Sequence, residues 1–345
     1  MVDVQQIAIR MTLSAARWTG AAAVARSFLS GRGAILMLHH VTERNWSPLG
    51  LSSGLTVAPQ FLDRLLADLR RRGQTIVPMD EIPDALRAGR GHQVVAITAD
   101  DAYLDNLTEA LPVFEAHDAP FTVYVAPGLI SGETLPWWEV VEEIVLRREE
   151  LHIPTLKGEV ALACRTMAEK RVAAWRLTVW LTREVAERDQ QEALRALGGG
   201  PGEARRFMDW DELRGLAGHG LATLGTHTVH HVNVKRLGEE EALREMVDAA
   251  AIVERETGSR PRHFAFPYGH KAAVGAREVE LARRAGFTTA VTTRHGVLVP
   301  SHAGHLHALP RISVNGNFQN VADVRTLMSG LTTPLAGGGR RLVTV

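Results

Sequence analysis

Cysteine is almost absent from this chain: among 345 residues there is one, Cys164. That excludes a disulfide framework within the chain and a cysteine-rich zinc site. An excess of either charge is missing as well. Lys plus Arg and Asp plus Glu number 39 each, which argues against a general nucleic-acid binder, whose footprint is basic. No apolar run approaches the roughly 20 residues that span a bilayer. One stretch lacks carboxylates altogether. From Val4 to Thr42 there is no Asp or Glu, while Arg10, Arg17, Arg26 and Arg32 are present. Met11, Leu13, Ala16, Ala21, Val24 and Phe28 form an apolar stripe there, and Arg17 breaks the apolar core that a secretory signal requires. Residues 1–32 are expected to be a basic amphipathic helical segment. It either packs on the domain or rests on anionic lipid; a targeting peptide is the third reading. The lack of a signal favours a cytoplasmic protein, peripheral at the inner membrane face.

What is present is ordinary globular composition, 45% hydrophobic and 23% charged, and an alternating pattern. Apolar strand-like runs (GAILMLH from Gly33, QTIVPM from Gln74, QVVAIT from Gln93, PFTVYVA from Pro120) are separated by helical periodicities over Pro59–Arg72, from Asp80, and over Leu104–His117. After an interruption the alternation resumes with LATLGTH, RHFAFPYG, TTAVTT and HALPRISV, again with helices between. Seven or eight strands with helical crossovers predict an α/β fold, a parallel sheet or a (β/α) barrel, and in such barrels the chemistry lies at the C-terminal strand ends. The interruption, about 135–207, is charged and tryptophan-rich and is expected to be a helical insertion. The barrel is expected to span 33–331, with a flexible tail at 332–345.

Two motifs fall at strand ends. VVAITADD places Asp100 and Asp101 side by side, although each raises the cost of ionising the other. THTVHH places His227, His230 and His231 after another strand. Carboxylate and imidazole suit zinc and similar divalent ions, and a catalytic zinc takes three protein ligands and one open position. One aspartate and two histidines fill that count. The second aspartate is then left to accept a proton from water.

These residues carry a resemblance. TADDAYLDN resembles the first signature (T-F-D-D-G) of the polysaccharide deacetylase, or NodB-like, family. HTVHH resembles its second, H-[ST]-x-x-H, and FAFPYG its third. The resemblance extends over about residues 33–315. It implies a distorted (β/α) barrel and metal-dependent removal of N-acetyl groups from an amino-sugar poly- or oligosaccharide, with zinc as the default ion. By position, Asp100 resembles the general base and Asp101, His227 and His231 the metal ligands. The backbone N–H of Tyr268 resembles the oxyanion donor. His230 falls in the variable part of its motif.

The chain also departs from the pattern. Ala99 and Ala102 replace a common Phe and Gly, and Ala265 stands where an arginine usually orients the base. The fourth and fifth signatures are not evident. ILMLHHV resembles a strand of the branch acting on poly-N-acetylglucosamine, which makes His39 the expected general acid and His40 the second choice. Adjacent strand residues face opposite sides, so the two are not equivalent. Arg311, in LPRISV, is the expected replacement for the missing arginine, ahead of Arg262. Trp137 and Trp138 either line a sugar cleft or pack the insertion. His295, His302, His305 and His307 raise the question of a second metal, against a solvated loop. A silent carbohydrate-binding barrel and an amidase for a non-sugar C–N bond are the alternatives. Convergence of His39 and Arg311 on the metal site discriminates against the first of these.

Overall fold

The computed structural model describes residues 18–88, 93–202 and 204–345. Seven strands carry the fold: β1 (Gly33–Leu38), β2 (Val94–Asp100), β3 (Phe121–Val125), β4 (Ala222–Thr226), β5 (His263–Ala265), β6 (Thr289–His295) and β7 (Leu309–Ser313). Each pairs in parallel with the next, and β7 pairs with β1, so the sheet closes on itself. The run Gln74–Met79 contributes only a two-residue strand, Thr75–Ile76, on the outer edge of β2. It therefore adds no eighth stave.

Closure explains why these strands are nearly continuous apolar runs: both faces are buried. Ile35, Ala96, Tyr124, Ala265, Val291 and Leu309 point inward as one cluster. Leu36, Leu38, Val95, Ile97 and Val123 point outward, beneath Phe61, Leu62, Leu65 and Leu66 of the helix Pro59–Arg71 and Phe114 of Leu111–Ala116. Gly225 is required inside the barrel. A Cβ there would stand 2.5 Å from the Tyr124 ring, well inside contact distance. Asp209 and Glu212 form a capping box at the start of Trp210–Ala217.

Two expectations need correction. The insertion is not wholly helical. Between the helices Trp137–Leu146 and Met167–Arg183 lies an antiparallel hairpin, Glu150–Thr155 with Gly158–Ala163. Its first strand alternates, with Leu151 and Ile153 buried between exposed His152 and Pro154, a period-2 signal masked by the helical flanks. The insertion also has its own core, in which Val141, Ile144, Leu177 and Leu181 surround the hairpin's Leu151 and Ile153. The C-terminal residues are not a loose tail. They include a short helix, Thr333–Ala336, and bury Val343, whose carbonyl accepts a hydrogen bond from His302 at 3.0 Å.

Of the N-terminal segment, residues 1–17 lie outside the described residues. The remainder contains a helix, Ala21–Leu29. No helix among the described residues is long and apolar enough to cross a membrane.

Candidate active site

The C-terminal ends of the strands open into one pocket of about 300 Å³, lined by Asp100, Asp101, His227 and His231, with His39 and Tyr268 at its wall. Strand alternation sends adjacent Asp100 and Asp101 to different partners. Asp100 continues the inward face of β2 and meets Arg311 from β7. The two guanidinium Nη atoms donate to its two carboxylate oxygens at 2.7 Å each. Arg311 is 1% exposed. It is fixed in turn by donation to the Thr292 carbonyl (3.0 Å) and the Thr98 hydroxyl (3.1 Å). Burial alone would raise the Asp100 pKa. The Arg311 charge and its hydrogen bonds overcome that and hold the carboxyl well below the usual carboxylate range.

Asp101 turns away through a left-handed backbone (φ 73°). Its Oδ1 is buried and makes no hydrogen bond. It faces His231 Nε2 at 3.4 Å and His227 Nε2 at 3.7 Å, both too long for hydrogen bonds. His227 Nδ1 lies 2.7 Å from the Ala265 carbonyl. It therefore carries the proton and leaves the Nε2 lone pair facing the carboxylate. The three donor atoms lie within 4.8 Å of one another. Tetrahedral bonds of about 2.0–2.2 Å place ligand atoms about 3.3–3.6 Å apart, so these residues fit a divalent cation. Burial, and then the Asp100 charge beside it, push the Asp101 carboxyl well above its usual range. Burial pushes His227 and His231 down. A buried carboxylate without a counter-charge is costly, and a cation between the three groups removes that cost.

Backbone strain concentrates here. Six non-glycine residues among those described have positive φ, and five belong to the site: Asp101, Ala102, Thr228, His231 and Tyr268. Such conformations cost about 1–3 kcal/mol each and persist where the surroundings enforce them. The Pro-Tyr-Gly turn shows how. A Cβ on Gly269 would stand 2.4 Å from the Thr293 nitrogen, and the Thr293 hydroxyl donates to the Tyr268 carbonyl at 2.6 Å. The Tyr268 N–H has no acceptor among the described residues.

His39 and His40 separate as strand alternation requires. His39 enters the pocket, with Nε2 3.9 Å from Asp100. Burial pushes its imidazole down to about 4, with Asp100 opposing, so the ring is neutral at pH 7. His40 is buried elsewhere, between Asp105 (Nδ1 to Oδ2, 2.6 Å) and Glu139 of the insertion (Nε2 to Oε1, 3.3 Å), with its ring on Tyr103. Arg206 closes this network by donating to Glu139 at 2.5 Å.

Sequence reasoning passed over Asp105 and Asn106, although both stand in the quoted motif. Asp105 accepts the Val41 N–H at 2.9 Å and Asn106 donates to the His39 carbonyl at 2.7 Å. Together they fix the backbone that carries His39. Trp137 and Trp138 both lie at the pocket wall, and Trp137 also packs against the core of the insertion. Each is tied down by its indole N–H, to the Tyr268 hydroxyl (2.8 Å) and the Tyr103 hydroxyl (2.9 Å). Arg262 pairs with Asp80 at 2.7 Å, away from the pocket. His295 meets Thr332, His302 meets Val343, and His307 meets the Phe287 carbonyl. Among the described residues, the C-terminal histidines form no second metal cluster.

Comparison with known proteins agrees with this geometry. No curated protein matches the chain in sequence. Among solved structures, the Streptococcus pyogenes deacetylase PplD in complex with acetate superposes with a TM-score of 0.57 at 18% identity, over 86% of this chain and 97% of that one. IcaB from Ammonifex degensii gives 0.55 at 18% identity, over 86% and 98%. BC0361, a polysaccharide deacetylase from Bacillus cereus, gives 0.54 at 14% identity, over 86% and 68%. At these identities the likeness is one of fold. The polysaccharide deacetylase family model matches residues 87–290, the segment that carries both aspartates, both facing histidines and the Pro-Tyr-Gly turn, and on that match the chain belongs to the polysaccharide deacetylase family.

Proposed function

We propose that this polysaccharide deacetylase hydrolyses the N-acetyl groups of an amino-sugar polymer or oligomer, with a divalent cation held by Asp101, His227 and His231. Polysaccharide deacetylases generally use a divalent metal, and a carboxylate with two imidazoles is a donor set for which zinc is the default. One observation carries the reading. An arginine-clamped carboxylate stands directly beside a buried carboxylate and two imidazoles whose free donor atoms face one another. When bound, the cation supplies Lewis acidity toward a water and toward the acetamide carbonyl.

The chain's own residues divide the remaining work. Asp100, kept ionised by Arg311, accepts a proton from the attacking water. Arg311 changes no bond; it is a positioning residue that fixes both oxygens of the base. The unsatisfied Tyr268 N–H is the donor for the developing oxyanion. His39 is the group for the leaving nitrogen. Because its imidazole is neutral at rest, the proton it delivers is the one drawn from the water through Asp100. The C–O bond forms, the amide C–N bond breaks, and the products are acetate and the free amine. Trp137 and Trp138 offer ring faces for a sugar at the pocket wall.

The test is acetate release from N-acetylglucosamine oligomers by the purified protein, after chelation and again after adding zinc. Activity that disappears with chelator and returns with metal is expected. No acetate from folded, zinc-loaded protein overturns the reading and turns attention to non-sugar amides.

A further inference from the structure

The end of the barrel opposite the pocket carries a second feature. Ala21–Leu29 is an amphipathic helix whose apolar face is not the face it buries. Of its residues only Ala25 is buried. Val24 and Phe28 are 65% and 74% exposed, and Trp18, just ahead of the helix, is 89% exposed. Packing on the domain therefore does not account for this apolar face.

Beside it runs an open groove lined by Arg26, Arg32, Arg72 and Arg325, with no Asp or Glu among the described lining residues. Asp68, close by, is already engaged by Arg71 and Arg325, each at 2.7 Å. Arg26, Arg32 and Arg72 make no ion pair among the described residues, and the Arg32 Nε is buried without a partner. Burial first, and then the like charges of Arg26 and Arg325, hold the Arg72 cation below its ordinary range, with Asp68 opposing. The C-terminal segment adds to the patch. Arg341 donates to the Phe28 carbonyl at 2.8 Å, with Arg340 beside it in sequence. These cations come from segments far apart in a chain of zero net charge, so the patch is local.

We propose that this face docks on a bilayer containing anionic phospholipid, with headgroup phosphates in the arginine groove and Trp18, Val24 and Phe28 in the interface. The combination selects the occupant. A soluble phosphate or a nucleic acid accounts for the arginines but leaves three large exposed apolar side chains unused. A bilayer uses both. The geometry also fits: Arg32 and Gln93 immediately precede β1 and β2. The docking face is thus separated from the catalytic mouth by the length of a strand, about 20 Å for seven residues. Docking leaves the mouth open to water.

The experiment is co-sedimentation of the full chain with vesicles of phosphatidylcholine alone or mixed with phosphatidylglycerol, at low and high salt and with inorganic phosphate added. Binding is expected to the mixed vesicles and to be released by salt. Arg26→Gln and Arg72→Gln each weaken partitioning about fivefold. Val24→Ser with Phe28→Ser also weakens it, while thermal stability and acetate release stay at wild-type values. The proposal is overturned by equal or absent binding to the two vesicle types, or by a Val24→Ser/Phe28→Ser variant that partitions like wild type. It is also overturned if inorganic phosphate competes away all binding, which marks a free-phosphate site.

Discussion

Replacing Arg311 with methionine is the most informative perturbation of the site. The substitution keeps an apolar stem in the barrel but removes both 2.7 Å contacts to Asp100 and the bonds to Thr98 and Thr292. It leaves the Asp100 charge buried and adjacent to Asp101. Breaking a buried pair from one side costs about 3–5 kcal/mol. Unfolding entropy of about 2.1 cal/mol/K per residue over 345 residues gives about 0.7 kcal/mol/K, so Tm should fall by about 4–7 °C. The double variant Asp100→Asn/Arg311→Met no longer buries the lone charge. It should lose less than the sum of the single losses. The kinetic consequence has a definite sign. In the wild type the folded pKa of Asp100 is depressed, so the pair's stabilisation is present above the ordinary carboxylate range and is lost only as pH falls through the depressed value. Asp100 therefore stays ionised throughout the working range. In the methionine variant, burial and Asp101 push that pKa up, and the acid limb of kcat/KM for acetate release moves to higher pH. Thermal denaturation and a pH–rate profile read both effects. Wild-type Tm with an unmoved acid limb, or strictly additive losses in the cycle, would falsify the assignment of Arg311 as the residue that sets the charge of Asp100.

Three further outcomes are expected. Asp100→Asn should lower acetate release by about 10²–10⁴-fold with bound metal nearly unchanged, whereas Asp101→Asn should lose the metal as well; metal analysis of both proteins distinguishes the roles, and loss of metal from Asp100→Asn would make Asp100 a ligand. His39→Ala should cut kcat well beyond twofold in the same assay; an unchanged rate returns His39 to a purely structural place. His40 is predicted to make stability pH-dependent. Burial pushes its imidazole down, but the hydrogen bonds to Asp105 and Glu139 outweigh that and leave its pKa raised above 6.5. Its contribution is then complete below about 6.5 and is lost as pH rises through the folded value. His40→Asn should destabilise the protein more at slightly acid than at alkaline pH, and a Tm difference that does not vary with pH argues against this origin.

Local sequence determined a good deal of this protein. Strand-and-helix alternation implied a parallel sheet or a barrel, and the shift from apolar to acidic at Asp100 located a strand end. The two-residue period of a strand required His39 and His40 to part company, because successive side chains leave on opposite faces. The same signal is present in the hairpin at Glu150–Ala163, but it is short and flanked on both sides by strong helical periodicity. The packing of the C-terminal residues was not legible either, since nothing local marks Val343 as the partner of His302.

The decisive pairings belong to the tertiary structure. Arg311 reaches Asp100 across 211 positions of sequence. Only closure of β7 onto β1, with β1 beside β2, brings the two to the same layer of the barrel. The clamp on His39 joins residues 39 and 106, the His40 network joins residues 40, 105, 139 and 206, and the arginine groove joins residues 26, 32, 72 and 325. Periodicity along a chain says which face of an element is buried. Which faces meet is decided by how the elements close around a shared core, and in this protein that closure brings Arg311 onto Asp100.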